Sequence, residues 1–137
     1  MKIKYQALIM ATLLSLISCT PRNNESHAAS KVALSFLESF YTYNFDKADE
    51  FCTSSGTKVI SWYASNLTED ELSLVTNRPE IELGETEVQD TIGIACFSAN
   101  HVLVTTSLEE QAHIGTASGR VLLVKKNGDW MVNGLEW

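Results

Sequence analysis

The chain has 137 residues, 45% of them hydrophobic, with 10 lysines and arginines against 17 acidic residues and a net charge of −7. An acidic balance argues against the electrostatic docking on nucleic acid or anionic lipid that a basic surface provides. The length leaves room for one hydrophobic core and not for two.

At the amino terminus Lys2 and Lys4 precede an apolar run from Tyr5 to Ile17, broken by Gln6, Thr12 and Ser15. The run falls short of the ~20 residues that span a bilayer. A charged start, an apolar middle and a small residue before a cut are the parts of a secretory signal peptide. Leu16-Ile17-Ser18-Cys19 resembles the lipobox of bacterial lipoproteins. The resemblance implies that residues 1–18 are removed, that the Cys19 thiol carries a diacylglyceryl group and that the new amino terminus is acylated. Acyl chains contribute about 0.8 kcal/mol per buried methylene, and two or more anchor a protein stably. An ordinary signal peptide and a buried helix with an incidental cysteine are the alternatives.

Processing takes away Lys2 and Lys4 and leaves 8 basic and 17 acidic residues, a net charge of −9, so membrane attachment would come from the acyl chains. Thr20 follows the cysteine where aspartate would signal retention, which by resemblance to the enterobacterial sorting rule implies the outer membrane of the cell envelope. Residues 19–26, with Pro21, Asn23 and Asn24, read as a short tether ahead of one domain over 27–137.

In that domain Ala33, Phe36, Leu37, Phe40 and Tyr41 recur at helical spacing, which predicts an amphipathic helix over 27–43. Asp46 is placed to cap a short second helix ending near Cys52. Val59, Trp62, Tyr63 and Leu67 mark one face of a third, and Thr68-Glu69-Asp70-Glu71 fits a capping box for a fourth, stopped by Pro79. After Pro79 the period becomes two. Ile81 and Leu83 alternate with glutamates, and Ile92, Ile94 and Cys96 oppose Ala95 and Phe97. Val102, Val104 and Leu108 suggest a further strand, followed by strands at 121–125 and 130–135. Asn127-Gly128 suits a type I′ turn, so the last two strands form a tight hairpin. Helices first and antiparallel strands after them give an α+β domain with helices on one face of the sheet.

"ALSFLESFYTYNFDKADEFC" followed downstream by "VLLVKKNGDWMVNGLEW" resembles the small envelope lipoproteins of the nuclear-transport-factor-2-like superfamily, many of which are domains of unknown function. The resemblance implies a curved antiparallel sheet wrapped around helices as a cone with a pocket; a cystatin-like helix-on-sheet arrangement is the nearest rival. Relatives such as ketosteroid isomerases and scytalone dehydratase use Asp, His and Tyr in the cone, and Tyr41, Tyr43, Asp46 and His101 are the corresponding residue types here. Blander roles fit them better: rings on an apolar helix face, a helix cap, and a solvated histidine beside a turn. His27 falls at the tether and His113 in a loop. With no metal-ligand spacing or phosphate loop, no catalytic residue, metal or cofactor is expected.

The reading is a lipid-anchored, non-catalytic ligand-binding or accessory module. A small apolar or peptide-like ligand would meet Tyr41, Tyr43, Trp62 and Tyr63, with no nucleic acid partner. The alternatives are a sheet face that docks on another envelope protein, and a small cone enzyme. Asp90-Thr91-Ile92 resembles the O-glycosylation motif of Bacteroidetes envelope proteins, against an ordinary turn fragment. With Cys19 committed to lipid, Cys52 and Cys96 form a candidate disulfide in a compartment that permits one. It would constrain the unfolded chain by about 4 kcal/mol in the entropy account.

Overall fold

The computed structural model describes residues 24–105 and 111–137. The signal peptide, Cys19 and Leu108 lie outside them. Helix α1 occupies residues 24–41 and buries Ala29, Ala33, Phe36, Leu37, Phe40 and Tyr41, the stripe its periodicity predicts together with one further turn. It begins inside the expected tether because Glu25 is held there. The Glu25 carboxylate accepts from Lys125 Nζ at 2.8 and 3.0 Å and from Trp130 Nε1 at 3.0 Å, and the Lys125 bond lowers its pKa. The helix ends where Tyr43 turns left-handed at φ 63°. Asn44 N donates to Ser39 O and Tyr43 N to Phe40 O, which is the Schellman closure.

Three short helices follow. Helix α2 spans Phe45–Asp49, and its cap is Asn44, whose side chain accepts from Lys47 N. Asp46 therefore sits in the first turn and is not the cap. Helix α3 spans Ser54–Ser65, capped by Thr53, and buries Ile60 and Tyr63 while Trp62 stays 39% exposed. Helix α4, Glu69–Leu72, carries the expected capping box between Thr68 and Glu71. Glu71 is buried beyond what a cap requires, because its second carboxylate oxygen accepts from Ala112 N at 2.5 Å. The backbone donors of Thr68 and Ala112 hold its pKa low.

The sheet is an antiparallel meander in the order β1-β2-β3-β4: β1 Glu80–Gln89, β2 Ile92–Val104, β3 His113–Lys126 and β4 Asp129–Glu136. The two strands expected around Phe97 and Val102 are one, because β2 absorbs a bulge between Ala99 and Val102, where His101 takes φ 62° and stays exposed. His113 opens β3 and is not a loop residue. Asn127 and Gly128, at φ 53° and 86°, make the expected turn between β3 and β4. Of Asp90-Thr91-Ile92, the first two residues form the β1–β2 hairpin turn and Ile92 opens β2, with Asp90 left-handed and Thr91 O accepting from Lys125 N.

One face of the sheet, carrying Ala95, Phe97, Ala99, Val121, Leu123 and Val132, packs with α1 and α3 to form the core. Phe40 lies at its centre, within 4.6 to 6.3 Å of the rings of Phe36, Tyr41, Phe45, Tyr63 and Trp137. The segment between α2 and α3 pairs with β4. Thr53 N donates to Val132 O and Val132 N to Phe51 O, and Thr53 Oγ1 donates to Asn133 Oδ1 at 2.8 Å. A side chain at Gly56 would put its Cβ 2.3 Å from Val132 O, so the close approach of α3 to β4 requires glycine there.

The Cys52–Cys96 disulfide is not formed; both thiols are free. Successive strand residues point to opposite faces. Ala95 and Phe97 take the helix side, which leaves Cys96 exposed on the outer face opposite Arg120. Cys52 is buried beneath α3, its Sγ donating to Ala48 O. Burial, with Asp49 nearby, pushes its thiol pKa up to about 12.

Two outcomes follow. Gly56→Ala is expected to destabilise the fold by roughly 1–3 kcal/mol, the range for forced overpacking, read as a shift in denaturant midpoint; an unchanged midpoint would show that α3 is not held against β4. Iodoacetamide applied to the native protein should label Cys96 rapidly and Cys52 only after unfolding. Failure to label Cys96 in the oxidised protein would restore the bridge.

Candidate functional site

The inner strands are longer than the outer ones. The β1 pairing begins at Glu80↔Asn100, so residues 101–104 of β2 run past it. The β4 pairing ends at Arg120↔Glu136, so residues 113–119 of β3 run past it. At this end β2 and β3 pair with each other, through Leu103↔Ile114 among others, and each has lost its outer neighbour.

Side chains from α3 and from the turn after α1 replace the missing partner of β2. Tyr63 Oη donates to Leu103 O at 2.6 Å and Leu103 N donates to Tyr43 Oη at 3.2 Å. Both polar groups of one buried strand residue are thus satisfied by phenols, where an unpaired buried amide would cost about 1–3 kcal/mol. Burial pushes the Tyr63 and Tyr41 phenols well above the ordinary tyrosine range, and raises Tyr43 against the opposing effect of the Leu103 N–H. These rings act as neutral hydrogen-bonding groups.

The chain leaving β4 turns inward across β3 at Gly119, where a Cβ would lie within bonding distance of Glu136 O. That crossing carries Trp137 onto the aromatic cluster. Its Nε1 donates to Tyr41 Oη at 2.9 Å, and its ring lies 6.2 Å from Tyr63 and 5.9 Å from Trp62. Between Tyr63 and Trp137 on the helix side and residues 103–105 and 116–118 on the sheet side opens a cleft of about 170 Å³. Its floor is made of small residues: Thr116, Ala117 and Ser118 line it, and Ala117 is the one of the three on the inner face of β3, paired with Ala99. A larger side chain at Ala117 would fill it. The lining holds no side-chain carboxylate, ammonium, guanidinium or imidazole, and no cluster of metal-ligating residues occurs among the described residues.

Of the four residues expected to meet a ligand, Tyr63 lines the cleft. Tyr41 lies behind it, binding Trp137, and Tyr43 braces Leu103. Trp62 stands beside Trp137 outside the lining, half-exposed. Asp46 and His101 are both exposed and outside the lining. Trp137 and the sheet wall went unpredicted. The signal was present in "GTASG", residues 115–119, a run of small residues inside a strand, which marks a bend or close approach.

No protein-family model and no curated protein matches the chain. Among solved structures it is similar to an NTF2-like protein of unknown function from Methylobacillus flagellatus KT. That crystal structure superposes with a TM-score of 0.54 at 11% identity, over 83% of this chain and 94% of the other. With helices packed on a four-stranded antiparallel sheet, the likeness shows the fold alone: the chain has an NTF2-like α+β cone fold.

Proposed function

We propose that this protein is a lipid-anchored module of the cell envelope that holds a small neutral ligand in the cleft between Tyr63 and Trp137 without transforming it. The observation that carries the reading is the cleft itself, a space of about 170 Å³ bounded by two aromatic rings and small strand residues, with no ionisable side chain except the Tyr63 phenol in its lining. Pockets of this kind bind by apolar contact, with a few polar groups for orientation. The phenols nearest the cleft are already committed to Leu103 and Trp137, and burial disfavours their ionisation, which supports holding over acid–base chemistry. The envelope location rests on the lipobox resemblance at Cys19; no helix among the described residues is long and apolar enough to cross a membrane.

A second reading has its own support. The register brings Ile92, Ile94, Leu122, Val124 and Met131 together on the outer face of the sheet, and Ile92 is 57% exposed. This face would suit an envelope protein partner.

Lipidation is expected to place the wild-type protein in the detergent phase of a phase separation and Cys19→Ala in the aqueous phase. A wild-type protein without acyl mass would remove the anchor. For the cleft, indole is a suitable probe because it matches the space in size. Ala117→Leu should weaken indole binding at least tenfold, about 1.4 kcal/mol, while the thermal midpoint stays within a few degrees. Wild-type protein that gives no binding heat on calorimetric titration with indole would sink the ligand-holding reading.

A further inference from the structure

We propose that the open end of the cone takes an extended peptide, added as a strand to the free edge of β3, with one apolar side chain seated between Tyr63 and Trp137. This rests on the ligand-holding reading and names its ligand class.

The direction of the backbone groups follows from the tyrosines. In an antiparallel pair, directly opposed residues either exchange both hydrogen bonds or point both sets of groups away. Leu103 gives its N–H and C=O to Tyr43 and Tyr63, so Leu103↔Ile114 is a pair of the second kind. The N–H and C=O of Ile114 then point to the opposite side of β3, and those of Thr116 and Ser118 follow at the strand period of two. The bulge here lies in β2, so β3 keeps that period. All three residues fall in the stretch that β4 has left, and their backbone groups have no partner on that side among the described residues.

An unpaired edge is a template for another strand, and proteins cover or charge such edges. Here the other edges are managed. The exposed edge strand β1 carries Glu80, Glu82, Glu85 and Glu87. The edge of β4 is paired at Val132 by the segment before α3, and the overhang of β2 is closed by phenols. The β3 overhang alone, from Ile114 to Gly119, has no charge, no proline and no bulge.

The cleft abuts this edge, since Thr116 and Ser118 both line it. A peptide laid along β3 would turn alternate side chains toward the inner face, and one of them would enter over Ala117. Strand addition draws affinity from main-chain bonds and specificity from such pockets. A dry apolar cavity of about 150 Å³ accepts a benzene-sized ring, so a phenylalanine or leucine side chain matches the space. The net charge of −9 left after processing, 8 basic against 17 acidic residues, favours a peptide with basic flanks.

The test uses the full chain in detergent and a capped hexapeptide, Lys-Thr-Val-Phe-Thr-Lys-amide. Two companions replace phenylalanine by glycine or carry N-methyl groups on alternate backbone nitrogens. The phenylalanine peptide should bind at least tenfold tighter than either companion and slow amide exchange several-fold in residues 113–119. Ala117→Leu should abolish the preference for phenylalanine over glycine, with exchange in α1 unchanged as the check on folding. Equal binding of the N-methylated peptide, or protection confined to another strand, would overturn strand addition. If indole binds the cleft but no peptide binds, the ligand-holding reading stands and this proposal fails; if neither binds, both fail. Binding of a neutral oligosaccharide at Trp62 and Trp137 in place of any peptide would likewise overturn it.

Discussion

Two phenols hold one strand residue. The bonds from Tyr63 to the carbonyl of Leu103, and from the Leu103 amide to Tyr43, let β2 run past β1 without leaving buried backbone groups unpaired. Each net bond is worth about 1 kcal/mol, whereas leaving the groups buried and unmade costs more. The overhang brings β3 with it, the loss of β4 on the far side leaves room for Trp137, and the cleft occupies the space between.

The aromatic cluster beneath is what makes the phenols dependable. Phe40 touches five rings, and truncating a buried phenylalanine of this kind costs about 3–5 kcal/mol. Tyr41 and Tyr63 are packed into that cluster with their hydroxyls at its edge, so each ring is fixed by apolar contact and only its polar tip is directional. Glu25 acts similarly at the opposite end of α1, tying the helix to Lys125 and Trp130. The helix is thus fixed at both ends of the sheet, by a carboxylate at one and by phenols at the other.

Glycine and alanine decide where the core stops. At Gly56 the absence of a side chain brings α3 against β4, and at Gly119 it lets the chain beyond β4 cross the sheet. Gly115 and Ala117 keep the inner face of β3 shallow. Small residues weaken a strand by offering nothing to pack, and here Ala117 leaves open a cleft with rings on its helix side.

Periodicity settled much of this in advance. The stripe of α1, the Thr68–Glu71 capping box, the Asn127-Gly128 turn and the α+β order of elements are local patterns, each encoded within a few residues and realised as written. The structure decided what local pattern does not contain. Cys52 and Cys96 were separated because a strand side chain takes the face its neighbours leave, and Ala95 and Phe97 had taken the inner one. Asn44 outcompeted Asp46 as a cap, a bulge at His101 joined two strands into one, and β3 begins at His113, eight residues before the expected 121. The cleft was legible only in part. Tyr63 was visible as a ring on a helix face, but its partners come from β2, from β3 and from beyond β4, 40 to 74 positions away in sequence. Only the assembled sheet brings them together, because relative strand length and register are properties of pairing and not of any one segment.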